Sequence, residues 1–274
     1  MIDILIEPFT YNYMAKAILI STIVGALCGF LSSYLMLKGW SLVGDALSHS
    51  VVPGVAGAYI LGLPFSIGAF ISGSLAALTM LFLNKQTKLK EDAIIGIIFT
   101  SFFALGLFMI SLNPTSVDIK KIIFGNILAI SDFDLKQLII VSSISLLVLI
   151  IYWKDIMIVF FDEMHSNTIG ISPNKIKLIF FIILTVSTVA ALQTVGAFLV
   201  IALIITPGAT AFLLTKEFSQ LIIYSVTLGS LASFFGSYLS YYIDGATGGT
   251  IVVLMTITFF VVFVLKKERQ KINA

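Results

Sequence analysis

The chain has 274 residues, 59% of them hydrophobic and only 11% charged, with a mean hydropathy of +1.10. A soluble domain is nearer half apolar and a quarter charged, so a water-soluble globule is excluded. A net charge of +2 says little by itself, no nucleic-acid partner is expected, and one cysteine, Cys28, excludes disulfides within the chain and thiolate metal cages.

The charges fall in short clusters between apolar runs of about 18 to 25 residues. Because a helix needs about 20 apolar residues to span, the pattern predicts an all-α polytopic integral membrane protein. A membrane barrel would instead alternate over segments of about 10 residues, and no such alternation occurs.

In chain order, residues 1–12 carry Pro8 and several aromatics and read as an interfacial lead-in. Asp3 and Glu7 stand where a cleavable leader would be basic, so the first apolar segment is expected to be a retained span. Spans are expected at 14–37, 41–62, 65–84, 92–112, 134–153, 176–193, 195–213, 218–242 and 248–265. That makes nine, with eight or ten also compatible with the apolar runs. Residues 1–274 form one integral domain.

Lysine and arginine give the orientation. With the C-terminus cytoplasmic and the N-terminus outside, the cytoplasmic face holds Lys38, Lys85, Lys88, Lys90, Lys154, Lys175, Lys177, Lys216, Lys266, Lys267, Arg269 and Lys271. The outside keeps Lys16, Lys120, Lys121 and Lys136, and also an acidic excess that would steer cations weakly inward.

Two connections are more than linkers. Residues 115–131 form an external amphipathic stretch too short to cross. Residues 154–175 are polar and cytoplasmic, with Asp162, Glu163 and His165 leading to Gly170 and Pro173, the stop signals of a short helix.

Within this scaffold one stretch is chemically unusual: Gly39 through Gly57, including Asp45, Ser48, His49 and Pro53. Apart from Asp92 and Asp134, the first residues of their spans, Asp45 is the only acidic residue in an expected span, although near the start of its own, and His49 is the only histidine there. Ionisable groups in lipid are costly, so they usually face a cavity and have a function. Four residues apart on a helix, the two share one face and can hold one divalent cation of the manganese, iron or zinc type. Pro53 has no N–H for the His49 carbonyl, which frees a backbone oxygen beside the pair. The bland alternative is an Asp–His hydrogen bond that ties helices together. Ser48, Pro53, Thr206 and Pro207 are candidate pore-lining positions, although a proline kink at Pro207 can equally be structural.

There is no Gly-rich lysine loop, no G-x-S-x-G and no H-E-x-x-H, so the chain has no recognisable means of hydrolysing a nucleotide. Uphill transport would need a partner chain or an ion gradient.

Along nearly its whole length the sequence resembles the permease subunits of bacterial metal-ion ABC importers for manganese, iron or zinc. The resemblance is carried by Ser41 to Val55, Ile123 to Leu128, Phe161-Asp162 leading to Gly170-Ile171, Val195-Gly196 through Pro207 to Ala211, and Tyr241 to Gly249. It implies a second permease chain (identical or related), two cytoplasmic ATPases that bind the ATP, and an external metal-binding protein, assembled at the bacterial inner membrane. It implies that Asp45 and His49 hold the metal in transit, with no permanently bound cofactor. It also implies that the segment with Asp162, Glu163 and Gly170 docks on the ATPase, though Met164-His165-Ser166 departs from the small residues usual there. The wording around His49 is more similar to the manganese/iron branch than to the zinc branch.

Two other functions compete. In a proton-coupled secondary metal transporter, Asp45 and His49 would exchange metal for protons, but a proton path usually has its own intramembrane relay. A membrane enzyme using the pair as acid and base would need a nucleophile or cofactor motif that the sequence lacks.

Overall fold

Apolar runs that must satisfy every backbone N–H and C=O without water fold as helices. The computed structural model describes residues 2–40, 42–112 and 127–272 and is helical throughout, with no strand among them. The helices are α1 (Ile2–Thr10), α2 (Asn12–Lys38), α3 (Val43–Ser50), α4 (Val52–Leu61), α5 (Phe65–Gln86), α6 (Glu91–Leu112), α7 (Asp132–Phe161), α8 (Glu163–Thr168), α9 (Pro173–Val195), α10 (Ala197–Leu214), α11 (Phe218–Ile243) and α12 (Thr247–Ile272). Of these, eight are long and apolar enough to cross a membrane: α2, α5, α6, α7, α9, α10, α11 and α12.

The second expected span, 41–62, is not one helix. It is α3 and α4, broken at Val51, because Pro53 cannot donate to the carbonyl of His49. The span expected at 134–153 also differs. Lys154 and Asp155 end the apolar run, but no helix breaker follows before Asp162, so α7 continues to Phe161 over 30 residues. The tight pair expected at 176–213 is present as α9 and α10. They turn at the single residue Gly196, whose φ of 84° and ψ of 160° suit only glycine. Residues 1–12, expected as a lead-in, contain a short helix: α1 packs on α11, with the Tyr241 hydroxyl donating to Glu7 at 3.0 Å and Phe9 against Phe234 and Tyr238. The expected amphipathic stretch 115–131 lies largely outside the described residues, which resume with a 3₁₀ turn at Ile127–Ala129.

α2 and α9 are the most enclosed spans and α6 and α12 the least. α2 packs against α7, α9, α10 and α11. Small residues let it approach closely. A Cβ on Gly25 would lie 2.4 Å from the carbonyl oxygen of Gly229 on α11, and the reverse holds equally, so neither site admits a side chain.

The chain alternates in direction, with α3 and α4 together making one traverse. Lys38 and Lys177, from α2 and α9, both meet Glu163 of α8 at one end of the bundle. Lys16 of α2 meets Asp132 of α7 at the other.

Candidate functional site

The site is built at the turn after α2. Gly39, at φ 73°, caps α2, and the Trp40 N–H returns to the Leu35 carbonyl at 2.8 Å. Trp40 is then drawn inside, only 4% exposed, with its ring against Phe160 and Phe181. Leu42 then returns to the surface, 47% exposed, before α3 begins at the buried Val43. α3 is enclosed by α5, α6, α9 and α10.

At the far end of α3 the unserved carbonyls find partners. The Val51 N–H is directed at the carbonyl of His49, and the Ser72 hydroxyl of α5 donates to that of Ser50 at 2.6 Å. Gly54 and Gly68 make the crossing of α4 over α5 possible: a Cβ on Gly54 would lie 2.0 Å from the Gly68 oxygen.

Asp45 and His49 share one face of α3 as the spacing predicts. His49 Nδ1 lies 3.2 Å from Asp45 Oδ1 and 3.0 Å from the Asp45 carbonyl. At 3.2 Å the contact is a hydrogen bond through the one in-plane site of Nδ1, so a cation held there by both groups would have to take the proton's place. The imidazole stands edge-on to two rings of α6, Phe99 and Phe103, at centroid distances of 5.1 and 5.2 Å and 87° to each. Those two rings are nearly parallel, one turn apart. They occupy the ninth and thirteenth positions of the 22-residue α6. At 1.5 Å per residue α6 is about 33 Å long, so His49 is level with its middle. Both side chains of the pair keep an open side, 37% for Asp45 and 24% for His49. Among the described residues no group of three or more His, Cys, Asp or Glu comes together. Asp45 and His49 are thus a pair of ligand-type side chains, a candidate for holding a cation.

Ser48 is buried on α3 and its hydroxyl bonds to the Gly44 carbonyl at 2.8 Å. Pro53 is buried in the first turn of α4. Thr206 and Pro207 lie on α10, whose Ile204 packs on Gly44 of α3. Pro207 is buried near Gly229, and beside it α2 adds two bonds to the α10 backbone. There the Ser32 hydroxyl accepts from the Gly208 N–H at 2.9 Å and donates to the Ile205 carbonyl at 3.2 Å.

The second candidate group gathers at α8. Asp162 caps that helix, accepting from Met164 N–H at 2.8 Å and His165 N–H at 3.0 Å. The His165 N–H, helped by that of Met164, holds this carboxyl below the usual carboxylate range. Glu163 turns inward to Lys177 and Lys38. Gly170, at φ 83°, closes the turn, and Met164 is left 81% exposed. His165 is exposed, as expected of a surface histidine.

Sequence reasoning passed over Phe99, Phe103 and Ser72. Phenylalanine and serine are ordinary in apolar helices, so nothing marked these three. The lysine inside the first turns of α9, Lys177, was a usable signal, because a charge at the edge of an apolar run calls for a partner.

Comparison with known proteins gives the family and the fold. The model of the ABC 3 transport family matches residues 10–266. The chain is 59% identical over 263 residues to the chelated iron transport system membrane protein YfeC of Yersinia pestis, covering 96% of this chain and 90% of that one. It is 45% identical over 270 residues to the manganese transport system membrane protein MntB of Synechocystis, covering 98% and 88%. It superposes on a chain of the structure of PsaBC from Streptococcus pneumoniae in complex with Fab with a TM-score of 0.86, 35% identity and full coverage of both chains. This chain, a multi-pass membrane protein, belongs to the ABC 3 transport family.

Proposed function

We propose that the chain is the membrane subunit of an ATP-driven importer of a divalent transition metal, iron or manganese before zinc, in the bacterial inner membrane. Asp45 and His49 hold the ion in transit, and the pair itself carries this reading. A carboxylate and an imidazole at the mid-depth of an apolar bundle, with donor atoms 3.2 Å apart, suit a borderline cation. Family membership and the iron and manganese systems of the similar proteins support it.

ATP is hydrolysed on partner chains, two cytoplasmic ATPases that α8 meets. An external protein delivers the metal to the opposite face. The lysine-rich end, with Lys38, Lys85, Lys88, Lys90 and Lys177, faces the cytoplasm by the positive-inside rule. A second permease chain completes the path. Transition-metal sites commonly take four to six ligands, and two copies of the pair about a twofold axis would supply four.

Purified complex in sealed vesicles, given ATP inside or out, tests the function. Asp45→Asn should abolish manganese uptake while the ATPase still co-purifies, because Asn keeps the size of the side chain and loses its charge. Uptake at the wild-type rate would remove Asp45 from the path, and uptake without ATP would favour the proton-coupled alternative. Mixed dimers with one His49→Ala copy test the shared site. Transport well below half supports it, and half the wild-type rate means that each chain works alone.

A further inference from the structure

We infer that the Glu163 carboxylate is a transmission joint, a positioning group that couples displacement of α8 to the turn carrying Asp45 and His49. The inference rests on the reading that α8 meets a cytoplasmic ATPase. α8 has six residues and little of its own to grip the bundle: Ser166 is buried, but Met164 points out, 81% exposed. What ties its first turn inward is charge. Glu163 Oε1 pairs with Lys177 of α9 and, at 3.7 Å, with Lys38, the last residue of α2.

Neither lysine is a free surface charge. Lys177 is only 8% exposed, and an ammonium that is largely out of water needs an anion beside it. Lys38 also stands 5.9 Å from the ring centroids of both Trp40 and Phe160, within cation–π range. The carboxylate, though its side chain is 43% exposed, is thus shared by two lysines of its own chain, while Met164, His165, Asn167 and Thr168 are left on the exposed surface of α8.

Two physical routes lead from this joint to the candidate site. One is covalent: Lys38 is followed by Gly39, at φ 73° with open space around it, then by buried Trp40, and then by α3. The other passes through side chains. The Trp40 indole N–H donates to Glu91, the first residue of α6, which Asn84 also holds at 3.0 Å. α6 in turn presents Phe99 and Phe103 to His49. A helix pushed at α8 therefore moves both the backbone bearing the pair and the rings that orient it.

The test uses the full complex with its ATPase in sealed vesicles, manganese(II) as the metal, and manganese moved per ATP hydrolysed as the readout. In Glu163→Gln the ATPase should still co-purify and hydrolyse ATP, while the ratio falls at least tenfold; Glu163→Asp should recover part of it. A wild-type ratio in Glu163→Gln overturns the inference. So does loss of the ATPase, which would make Glu163 a docking contact. If Glu163→Gln gives no folded complex, Lys38→Met decides. It leaves the Lys177 pair in place and should lower the ratio about threefold, and an unchanged ratio overturns the inference. Met164→Glu examines the docking reading separately: undiminished ATPase binding there sinks that reading, whatever the ratio does in the Glu163 variants.

Discussion

The hydroxyl of Ser72 on α5 donates to the carbonyl of Ser50, 2.6 Å away, where α3 gives way to α4. Pro53 makes the break, and this bond is what allows the broken end to remain in an apolar bundle. Ser72→Ala would leave a buried carbonyl without a donor, at a cost of about 1–3 kcal/mol. We expect a lower unfolding midpoint for the purified protein and weaker metal retention at the adjoining pair. An unchanged midpoint would mean that another donor replaces the hydroxyl.

Phe99 and Phe103 hold the imidazole of His49 from one side while Asp45 holds Nδ1 from the other. Edge-to-face contacts are worth about 0.5–1.5 kcal/mol each. Replacing both phenylalanines by leucine keeps the site apolar but frees the ring. The metal concentration for half-maximal uptake should rise about tenfold, roughly 1.4 kcal/mol, with a smaller change in maximal rate. An unaltered half-saturation would show that α3 alone orients His49.

The crossing of α4 and α5 admits no Cβ at Gly54, where one would lie 2.0 Å from a backbone oxygen. Gly54→Ala should cost at least about 1–3 kcal/mol through overpacking and reduce the yield of folded protein. Gly57→Ala is the control, since its Cβ would meet only Met109 Cε at 3.5 Å. Equal yields from the two variants would contradict the crossing.

Asp162 caps α8 as a carboxylate whose affinity for a proton is lowered by the His165 and Met164 amides. The sign follows. The folded-state value is depressed, so the cap's contribution is complete above the ordinary carboxylate value of about 3.9 and is lost as pH falls through the folded-state value. Protection of the Met164 and His165 amides against hydrogen exchange, corrected for intrinsic rates, should be flat from neutral pH down to about 5 and fade only in stronger acid. In Asp162→Asn, which can still cap, the acid limb should disappear. A change in protection between pH 6 and 8 would assign the cap to another group.

Periodicity and hydropathy by themselves determined that this chain is a bundle of membrane helices, because apolar length forces helix in lipid whatever the packing. Spacing alone put Asp45 and His49 on one face, since four residues make about one turn. Proline and glycine chemistry marked Pro53 as leaving the His49 carbonyl without its helical donor and Gly170 as the end of a short helix. The tertiary structure decided how deep the pair lies. Counting from Lys38 puts Asp45 near the start of its span, yet α3 begins at the buried Val43 and His49 stands level with the middle of α6. It also decided what each acidic residue of 154–175 does: composition makes Asp162 and Glu163 equivalent, whereas one caps its own helix and the other meets two lysines from α2 and α9. Local sequence carries dihedral preference and polarity. Partners from helices more than a hundred residues apart, such as Lys38 and Glu163, exist only once the bundle has closed.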